Sequence, residues 1–193
     1  MRYREHIFAA WARRLACGGL ASLLAVSCGS DSSGVGKSVI ELHACDVVPG
    51  IEISRIVGGA HIASNVDVER NYGANAFSQC THTLDGSHKR VTVQVGRSGK
   101  PIETSRQADA DKERVSDDGT GYGIKYADAI EAGRDISDLG DLAYTYEIGG
   151  TLYVVAYRDK QVEVRVWMSI GADSKEGVLQ IAKEIAQSAI DQL

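Results

Sequence analysis

The chain has 193 residues, of which 44% are hydrophobic and 24% charged, an ordinary balance for a globular protein. Without residues 1–27, which carry four Arg and one Glu, it keeps 17 basic and 25 acidic side chains and a net charge of −8. Such an acidic surface argues against binding to nucleic acid and to anionic lipid. The remaining 166 residues suit one domain, which can bury about 70% of its unfolded surface and needs no metal to fold.

Residues 1–27 have the layout of a signal peptide. Four arginines form a basic start, and residues 15–27 follow without a charge. As a helix this run would span about 20 Å, which is short of the roughly 30 Å hydrocarbon core of a bilayer. The pattern therefore predicts an export signal that is removed, and not a membrane-spanning helix.

The charge-free run ends in Ala25-Val26-Ser27-Cys28, which resembles the lipobox of bacterial lipoproteins. In that motif small residues precede a Cys that receives a diacylglyceryl group, although Leu is usual where Ala25 stands. The resemblance implies acyl chains such as palmitate on Cys28 and a place outside the cytoplasm. The protein would be anchored to the cell membrane, or to the outer membrane if the cell has one. A secreted protein with a chance Cys is the alternative.

Residues 29–38 are rich in Gly and Ser and predict a flexible tether. Hydrophobic patterning begins only after this tether. We therefore expect a signal peptide in residues 1–27, the lipidated Cys28 and its tether in residues 28–38, and a single domain in residues 39–193.

The first part of the predicted domain combines a short helix with two strands. Pro49-Gly50 can begin a helix that Gly58-Gly59 ends, whereas residues 60–76 are polar and show no clear period. Residues 77–84 and 91–95 predict two strands joined by a clear turn. The buried face of the second strand would consist of Val91, Val93 and Val95. The apolar positions of the helix are Ile51, Ile53, Ile56 and Val57.

The most charged segment, residues 101–118, predicts a solvated helix with Ile102, Ala108 and Val115 as its inward contacts. Asp109 opens an acidic series that resembles the start of a calcium loop. That loop needs a glycine at its sixth position and a glutamate at its twelfth, and both are missing. We therefore interpret the series as solvated surface, and the glycine-rich residues after it as a flexible link.

The clearest pattern is a hairpin in residues 151–169. Its two runs are joined by a short turn at Arg158-Asp159-Lys160. The first run is apolar on both faces, so we expect it to lie further inside the sheet, whereas the second alternates. The predicted buried side chains of the second run are Val162, Val164, Val166 and Met168.

The chain ends in a predicted helix that Asp173 caps, with Glu176 at the third position. An apolar stripe along this helix would lie on the sheet. Together the elements predict a single α+β domain with an antiparallel sheet, helices early and late, and strands between them. The stripe consists of Val178, Ile181, Ala182, Ile185 and Ala189.

Two of the four cysteines are candidates for a structural disulfide. Cys17 lies in the predicted signal peptide and Cys28 is the predicted lipid site, which leaves Cys45 and Cys80 in an oxidising compartment. A bridge would join the first helical segment to the first strand. Closing a loop of about 35 residues would stabilise the fold by at most roughly 4 kcal/mol.

Several features follow one another in order: Cys45 before a short helix, Cys80 in a strand, the step Gly140-Asp141-Leu142-Ala143, the hairpin and the terminal helix. This order, over most of Leu42–Leu193, resembles the small extracytoplasmic lipoproteins of a domain-of-unknown-function family common in actinobacteria. That family often has an aromatic residue soon after the second Cys, where this chain has Thr81-His82-Thr83. The resemblance implies a disulfide and a lipid-tethered envelope role, and it implies no activity.

The sharpest alternative to the disulfide is a metal site. His43 and Cys45 form a His-x-Cys pair, Cys80 and His82 form its mirror image, and the latter two would share one face of a strand. Two Cys and two His suit zinc or a thiophilic metal such as copper. Because thiols oxidise outside the cytoplasm, we expect the disulfide and no cofactor.

No catalytic constellation is recognisable. The nucleophile elbow Gly-x-Ser-x-Gly does not occur, and His61 and His88 have no obvious partner. Asp138 and Asp141 could be paired carboxylates, but a loop that enters a strand needs such turn residues anyway. We therefore predict a membrane-anchored envelope lipoprotein whose domain binds a protein partner or small ligand without catalysis. A metal-binding lipoprotein is the alternative, and a hydrolase comes third.

Overall fold

The computed structural model of the protein describes residues 42–72, 75–85, 90–171 and 173–193. All of them belong to one compact unit, Gly36–Leu193. The predicted signal peptide, Cys28 and the tether lie outside the described residues, as does most of the turn predicted after Leu84. Within the described stretches no helix combines the length and apolar character needed to span a bilayer.

The described residues form a seven-stranded antiparallel sheet and five helices, which confirms the predicted α+β class. The strands lie side by side in the order β1-β2-β3-β7-β6-β5-β4, so that two meanders meet where β3 pairs with β7. The strands are β1 (His61–Tyr72), β2 (Asn75–Leu84), β3 (Arg90–Arg97), β4 (Arg134–Ile136), β5 (Leu142–Ile148), β6 (Thr151–Arg158) and β7 (Val162–Ser169). The helices are α1 (Ala44–Val47), α2 (Gly50–Val57), α3 (Arg106–Val115), α4 (Tyr122–Glu131) and α5 (Lys175–Gln192).

The predicted hairpin is β6 and β7, and it lies in the middle of the sheet. Its turn has Asp159 and Lys160 at positive φ, and Gln161 N donates to Arg158 O at 3.1 Å. The apolar positions of β7 are buried as predicted. The central strand is nevertheless β7 and not β6. Both faces of β6 are buried because a helical layer covers each, and not because β6 is the innermost strand.

Helices cover both faces of the sheet. On one face, α5 packs on β6 and β7, with α1 and α2 beside it over β1 to β3. The α5 stripe is buried as predicted, although Ile181 is only half-buried. Its cap is Ser174 and not Asp173, because the Ser174 hydroxyl accepts from Gly177 N at 3.1 Å. The opposite face carries α3 and α4.

Residues 60–76, in which the sequence shows no period, contain the longest strand. Extra residues in β1 shift its register to β2 between His61 and Ala63 and again between Val66 and Val68. Each β-bulge moves the following side chains to the other face, so the alternation that marks a strand is lost. β1 is also an edge strand, which leaves many of its side chains exposed.

The inward face of α3 differs from the prediction. Val115 is 87% exposed, while Asp109 is 3% exposed and Ala110 is fully buried. The cause is that Tyr144 and Tyr157 on the sheet bind the Asp109 carboxylate. Apolar periodicity does not predict such a polar contact. The sequence also did not reveal α4, which begins at Tyr122 in the segment interpreted as a flexible link. Ile51, one of the apolar positions of α2, is 80% exposed.

Candidate functional site

Cys45 of α1 and Cys80 of β2 form a disulfide, with Cα atoms 5.2 Å apart, as predicted. Cys80 is fully buried. The bridge joins α1 to the second strand and not to the first, because β1 was not recognised in the sequence. A second link lies beside it, where Ala44 N donates to Ser78 Oγ at 2.8 Å.

The four residues of the alternative metal site do not come together in the structure. The sulfurs of Cys45 and Cys80 are bonded to each other and offer no thiolate. His43 Nδ1 lies 2.7 Å from Glu69 Oε1, and His82 binds elsewhere. In the part of the chain that the structure describes, no group of three or more His, Cys, Asp or Glu side chains is arranged to hold a metal ion.

His82 instead belongs to a group that the sequence did not reveal. Ser64 Oγ lies 2.8 Å from His82 Nδ1 and 2.8 Å from His61 Nε2, so one exposed hydroxyl joins two imidazoles. The two rings are tilted by 59° with centroids 5.7 Å apart. We call His61, Ser64 and His82 the histidine–serine cluster.

The bulge at the start of β1 creates this cluster. Ser64 pairs directly with His82 of β2, so their side chains share one face. In a regular strand, residues three apart point to opposite faces. The extra residue between His61 and Ala63 moves His61 to the face that carries Ser64. The sequence spacing of His61 and Ser64 therefore does not reveal that they lie on one face.

Gly50 at the start of α2 makes room for the His61 ring. A methyl group at this position would lie 2.4 Å from His61 Nε2 and 2.5 Å from Cε1. Any side chain at Gly50 would thus displace the imidazole. The glycine that the sequence marks as a helix start also positions a member of the cluster.

Burial sets the protonation of His82. The residue is fully buried, and burial, followed by the charge of His61, lowers the pKa of His82 to about 4. The Nε2 atom is buried and has no hydrogen-bond partner. A buried N–H donor without a partner is rarer than a buried acceptor without one. The tautomer with the proton on Nδ1, which donates to Ser64, is therefore favoured. Ser64 then donates to His61.

A serine between two histidines can act as a nucleophile in acyl transfer, or a metal ion can take its place between the two imidazoles. Acyl transfer needs a base that a third group orients, together with donors for an oxyanion. Among the described residues no group holds Nε2 of His82. His82 as a base therefore lacks an orienting group, whereas the two imidazoles of the cluster offer nitrogen ligands to a metal ion.

The opposite face of the sheet holds a second buried polar group, which we call the Asp109 cluster. Tyr144 and Tyr157 both donate to Oδ2 of Asp109, and the Tyr157 bond is 2.6 Å long. Burial raises the pKa of both tyrosines well above the ordinary value, so both remain donors at any physiological pH. The cluster fastens α3 to β5 and β6.

Beside this cluster three aromatic side chains form a row across the sheet. The ring of Tyr153 in β6 stacks on Tyr146 in β5 and on Trp167 in β7, with centroids 4.7 and 5.8 Å apart. Each pair stands directly opposite in the register of neighbouring strands. Tyr126 of α4 meets Tyr153 edge-on.

Asp138 and Asp141, the possible carboxylate pair, have separate partners. Asp138 binds Lys183 of α5 at 3.0 Å, and Asp141 accepts from the backbone N–H of Asp159 in the hairpin turn. Between them Gly140 has φ of 61°, and a Cβ there would lie 2.4 Å from Tyr157 O. The loop packs the turn against α5, which agrees with its interpretation as a turn.

Two adjoining grooves of about 300 and 340 Å³ meet at Arg134 and Thr145. They run between the end of α4, the β4–β5 edge and the start of α5. Arg134 makes no ion pair with any described residue, whereas Lys175 in the first groove binds Glu147 at 2.6 Å. Their volume is at the lower end of the range for small-molecule sites.

Comparison with protein-family models, with curated proteins and with solved structures found no match for this chain. The resemblance to the actinobacterial lipoproteins therefore stays a prediction.

Proposed function

We propose that the protein is an envelope lipoprotein, anchored through Cys28, whose disulfide-bonded α+β domain binds a protein partner or small ligand without catalysis. The anchor comes from the sequence and the binding role from the folded domain. Two acyl chains give stable membrane attachment, whereas one chain alone gives only marginal binding. The tether of residues 29–38 would hold the domain away from the membrane surface.

The observation that carries the proposal is the Cys45–Cys80 disulfide. Structural disulfides persist in oxidising compartments and are rare in the cytosol, where thiols are kept reduced. The bridge packs against the core, since Cys80 is fully buried and Cys45 is half-buried. It therefore supports a place outside the cytoplasm, where the signal peptide and lipobox of the sequence would also direct the chain.

The groove beside Arg134 supports a binding role for the domain. Its lining includes the buried Leu152 and the guanidinium of Arg134, which forms no ion pair with the residues that the structure describes. Concave sites with a few placed polar groups are the usual form of small-molecule sites. We place the small ligand here, with Arg134 available to an acidic group of that ligand.

Cys28→Ala tests the anchor. In cells fed labelled palmitate, the wild-type protein should take up label, fractionate with membranes and need detergent for release. The variant should take up none and remain an unprocessed precursor with its leader attached, because lipid attachment precedes cleavage in bacterial lipoproteins. The measurement is label in the protein band together with the mass of the mature chain.

Cys17→Ala is the matched control, since it removes the other leader-region cysteine and should label like the wild type. An unlabelled wild-type protein that washes off membranes and begins elsewhere than at residue 28 would contradict the anchor. In that case the proposal would reduce to simple export.

A further inference from the structure

The histidine–serine cluster brings two imidazoles to one point. His61 Nε2 and His82 Nδ1 each lie 2.8 Å from Ser64 Oγ, so the two nitrogens are no further apart than twice that distance. Ser64 is exposed, so solvent reaches the point where they meet. Nε2 of His82 is buried without a hydrogen-bond partner, and among the described residues it shares this only with Nε of Arg158, which cannot act as a ligand.

We propose that His61 Nε2 and His82 Nδ1 bind a divalent late first-row metal ion, with Cu²⁺ preferred to Zn²⁺, in place of the Ser64 hydroxyl. Water fills the open coordination positions. This site uses neither of the cysteines that suggested a metal in the sequence, and it does not depend on the lipid anchor. It goes beyond the proposed binding role, because that role concerns a small ligand in the groove beside Arg134, whereas this site binds a metal ion at β1 and β2.

The ligand chemistry selects the metal. Neutral imidazole suits copper, zinc and nickel, and affinities for a given nitrogen site rise to a maximum at Cu²⁺. Both ring nitrogens already face one point, since each contacts the same Ser64 hydroxyl at 2.8 Å. The acidic protein, with a net charge of −8 without residues 1–27, also favours a cation over an anion.

The cluster needs only a small adjustment to hold the ion. Two nitrogens at about 2.0–2.1 Å from one metal lie closer together than two that share a hydroxyl between them. His61 can supply this movement, because it is only half-buried and is the first residue of an edge strand. His82 is fixed in the core by burial. The site is therefore half preformed.

One feature of the cluster limits the affinity. When Nδ1 of His82 binds the ion, the remaining proton lies on Nε2, which is buried and has no acceptor. Ligating histidines usually donate this proton to a carboxylate or carbonyl, and losing such a partner costs about 10–100-fold in metal affinity. We therefore expect binding weaker than that of a closed four-ligand site.

The test uses Cu²⁺ and the full chain with Cys17→Ala and Cys28→Ala, so that the only cysteines left are those of the disulfide. Calorimetric titration at neutral pH should show one saturable equivalent, and electron paramagnetic resonance should show two equivalent or near-equivalent nitrogen ligands. His61→Ala should weaken Cu²⁺ binding by more than about tenfold, a change of about 1.4 kcal/mol. Zn²⁺ should bind more weakly than Cu²⁺.

Variants at Ser64 separate this site from a serine nucleophile and from misfolding. Ser64→Ala keeps both imidazoles and removes their competitor, so binding should be retained or tightened. Ser64→His adds a third nitrogen at the meeting point and should tighten Cu²⁺ binding by more than about tenfold. A gain of affinity cannot come from a damaged fold.

His43→Ala is the matched control, because it removes a partly exposed histidine near the disulfide but outside the cluster. It should bind like the background protein. The proposal is overturned if no saturable binding is seen, if His61→Ala binds like the background, or if Ser64→His brings no gain. Equal losses in His61→Ala and His43→Ala would show adventitious binding by surface histidines and would overturn it as well.

Discussion

The two buried polar clusters lie on opposite faces of one sheet and differ in how their atoms are satisfied. On the face under α3, the Asp109 carboxylate accepts from two buried tyrosines. On the face under α2, His82 meets one hydroxyl and leaves Nε2 without a partner. Burying a polar group without a partner costs about 1–3 kcal/mol, so the second arrangement lowers stability where the first does not.

This difference separates a structural group from a candidate site. A fully satisfied network fixes one arrangement of helix and sheet, and the Asp109 cluster fixes α3 in this way. An incompletely satisfied histidine next to an exposed hydroxyl has capacity for a further ligand.

Asp109→Ala should have the largest effect on stability. It removes the acceptor of two buried hydroxyl groups, and we expect the free energy of unfolding to fall by about 4 kcal/mol, since hydrogen bonds to charged groups are worth roughly 1.5–3 kcal/mol each. Denaturant titration followed by circular dichroism measures the change. Asp109→Asn keeps a carbonyl acceptor and should lose clearly less. Equal losses in both variants would show that α3 is held by packing alone.

The pKa of His82 predicts a loss of stability in mild acid. In metal-free protein the pKa of the His82 imidazole is about 6.5 in the unfolded chain and about 4 in the folded chain. Stability is therefore unaffected above pH 6.5 and falls as the pH drops from there to 4. The full difference amounts to about 3 kcal/mol, at roughly 1.4 kcal/mol per pKa unit.

Unfolding free energies in EDTA at several pH values measure this slope. His82→Gln cannot titrate, so its curve should be flatter than that of the wild type by the same amount. Parallel curves would mean that His82 is hydrated in solution and that the two clusters differ less than the structure indicates.

Ser64→Ala should have the smallest effect. The hydroxyl is exposed, and removing its two hydrogen bonds should lower the free energy of unfolding by about 1 kcal/mol. Ser64→Thr keeps the hydroxyl and suits a strand, so it should stay within about 0.5 kcal/mol of the wild type. Melting temperatures of the three proteins give the comparison. A loss in Ser64→Ala as large as that in Asp109→Ala would make the histidine–serine cluster a second structural group.

The sequence predicted those parts of the fold that rest on hydrophobic period. The β6–β7 hairpin, the buried valines of β3 and the α5 stripe follow directly from alternation or helical spacing. The disulfide followed from counting cysteines in an oxidising compartment. β1 was missed because two bulges interrupt its period, and the buried face of α3 was wrong because its main contact is a carboxylate.

The sequence did not predict the histidine–serine cluster, for a related reason. In the sequence, His82 belonged only to the alternative metal site, and the other members of that set have separate partners in the structure. Its real neighbours, Ser64 and His61, become visible only with the register of β1 against β2. Register depends on pairing across the sheet, which no local pattern in this stretch encodes.

The aromatic row of Tyr146, Tyr153 and Trp167 has a spectroscopic consequence. The chain contains two tryptophans, Trp11 and Trp167, and cleavage before Cys28 would leave Trp167 alone. Emission from the mature protein would then arise from one indole stacked on a phenol in the middle of the sheet. Excitation absorbed by the neighbouring tyrosines would pass to that indole, so its intensity and colour report on the β5–β7 half of the domain without any added label.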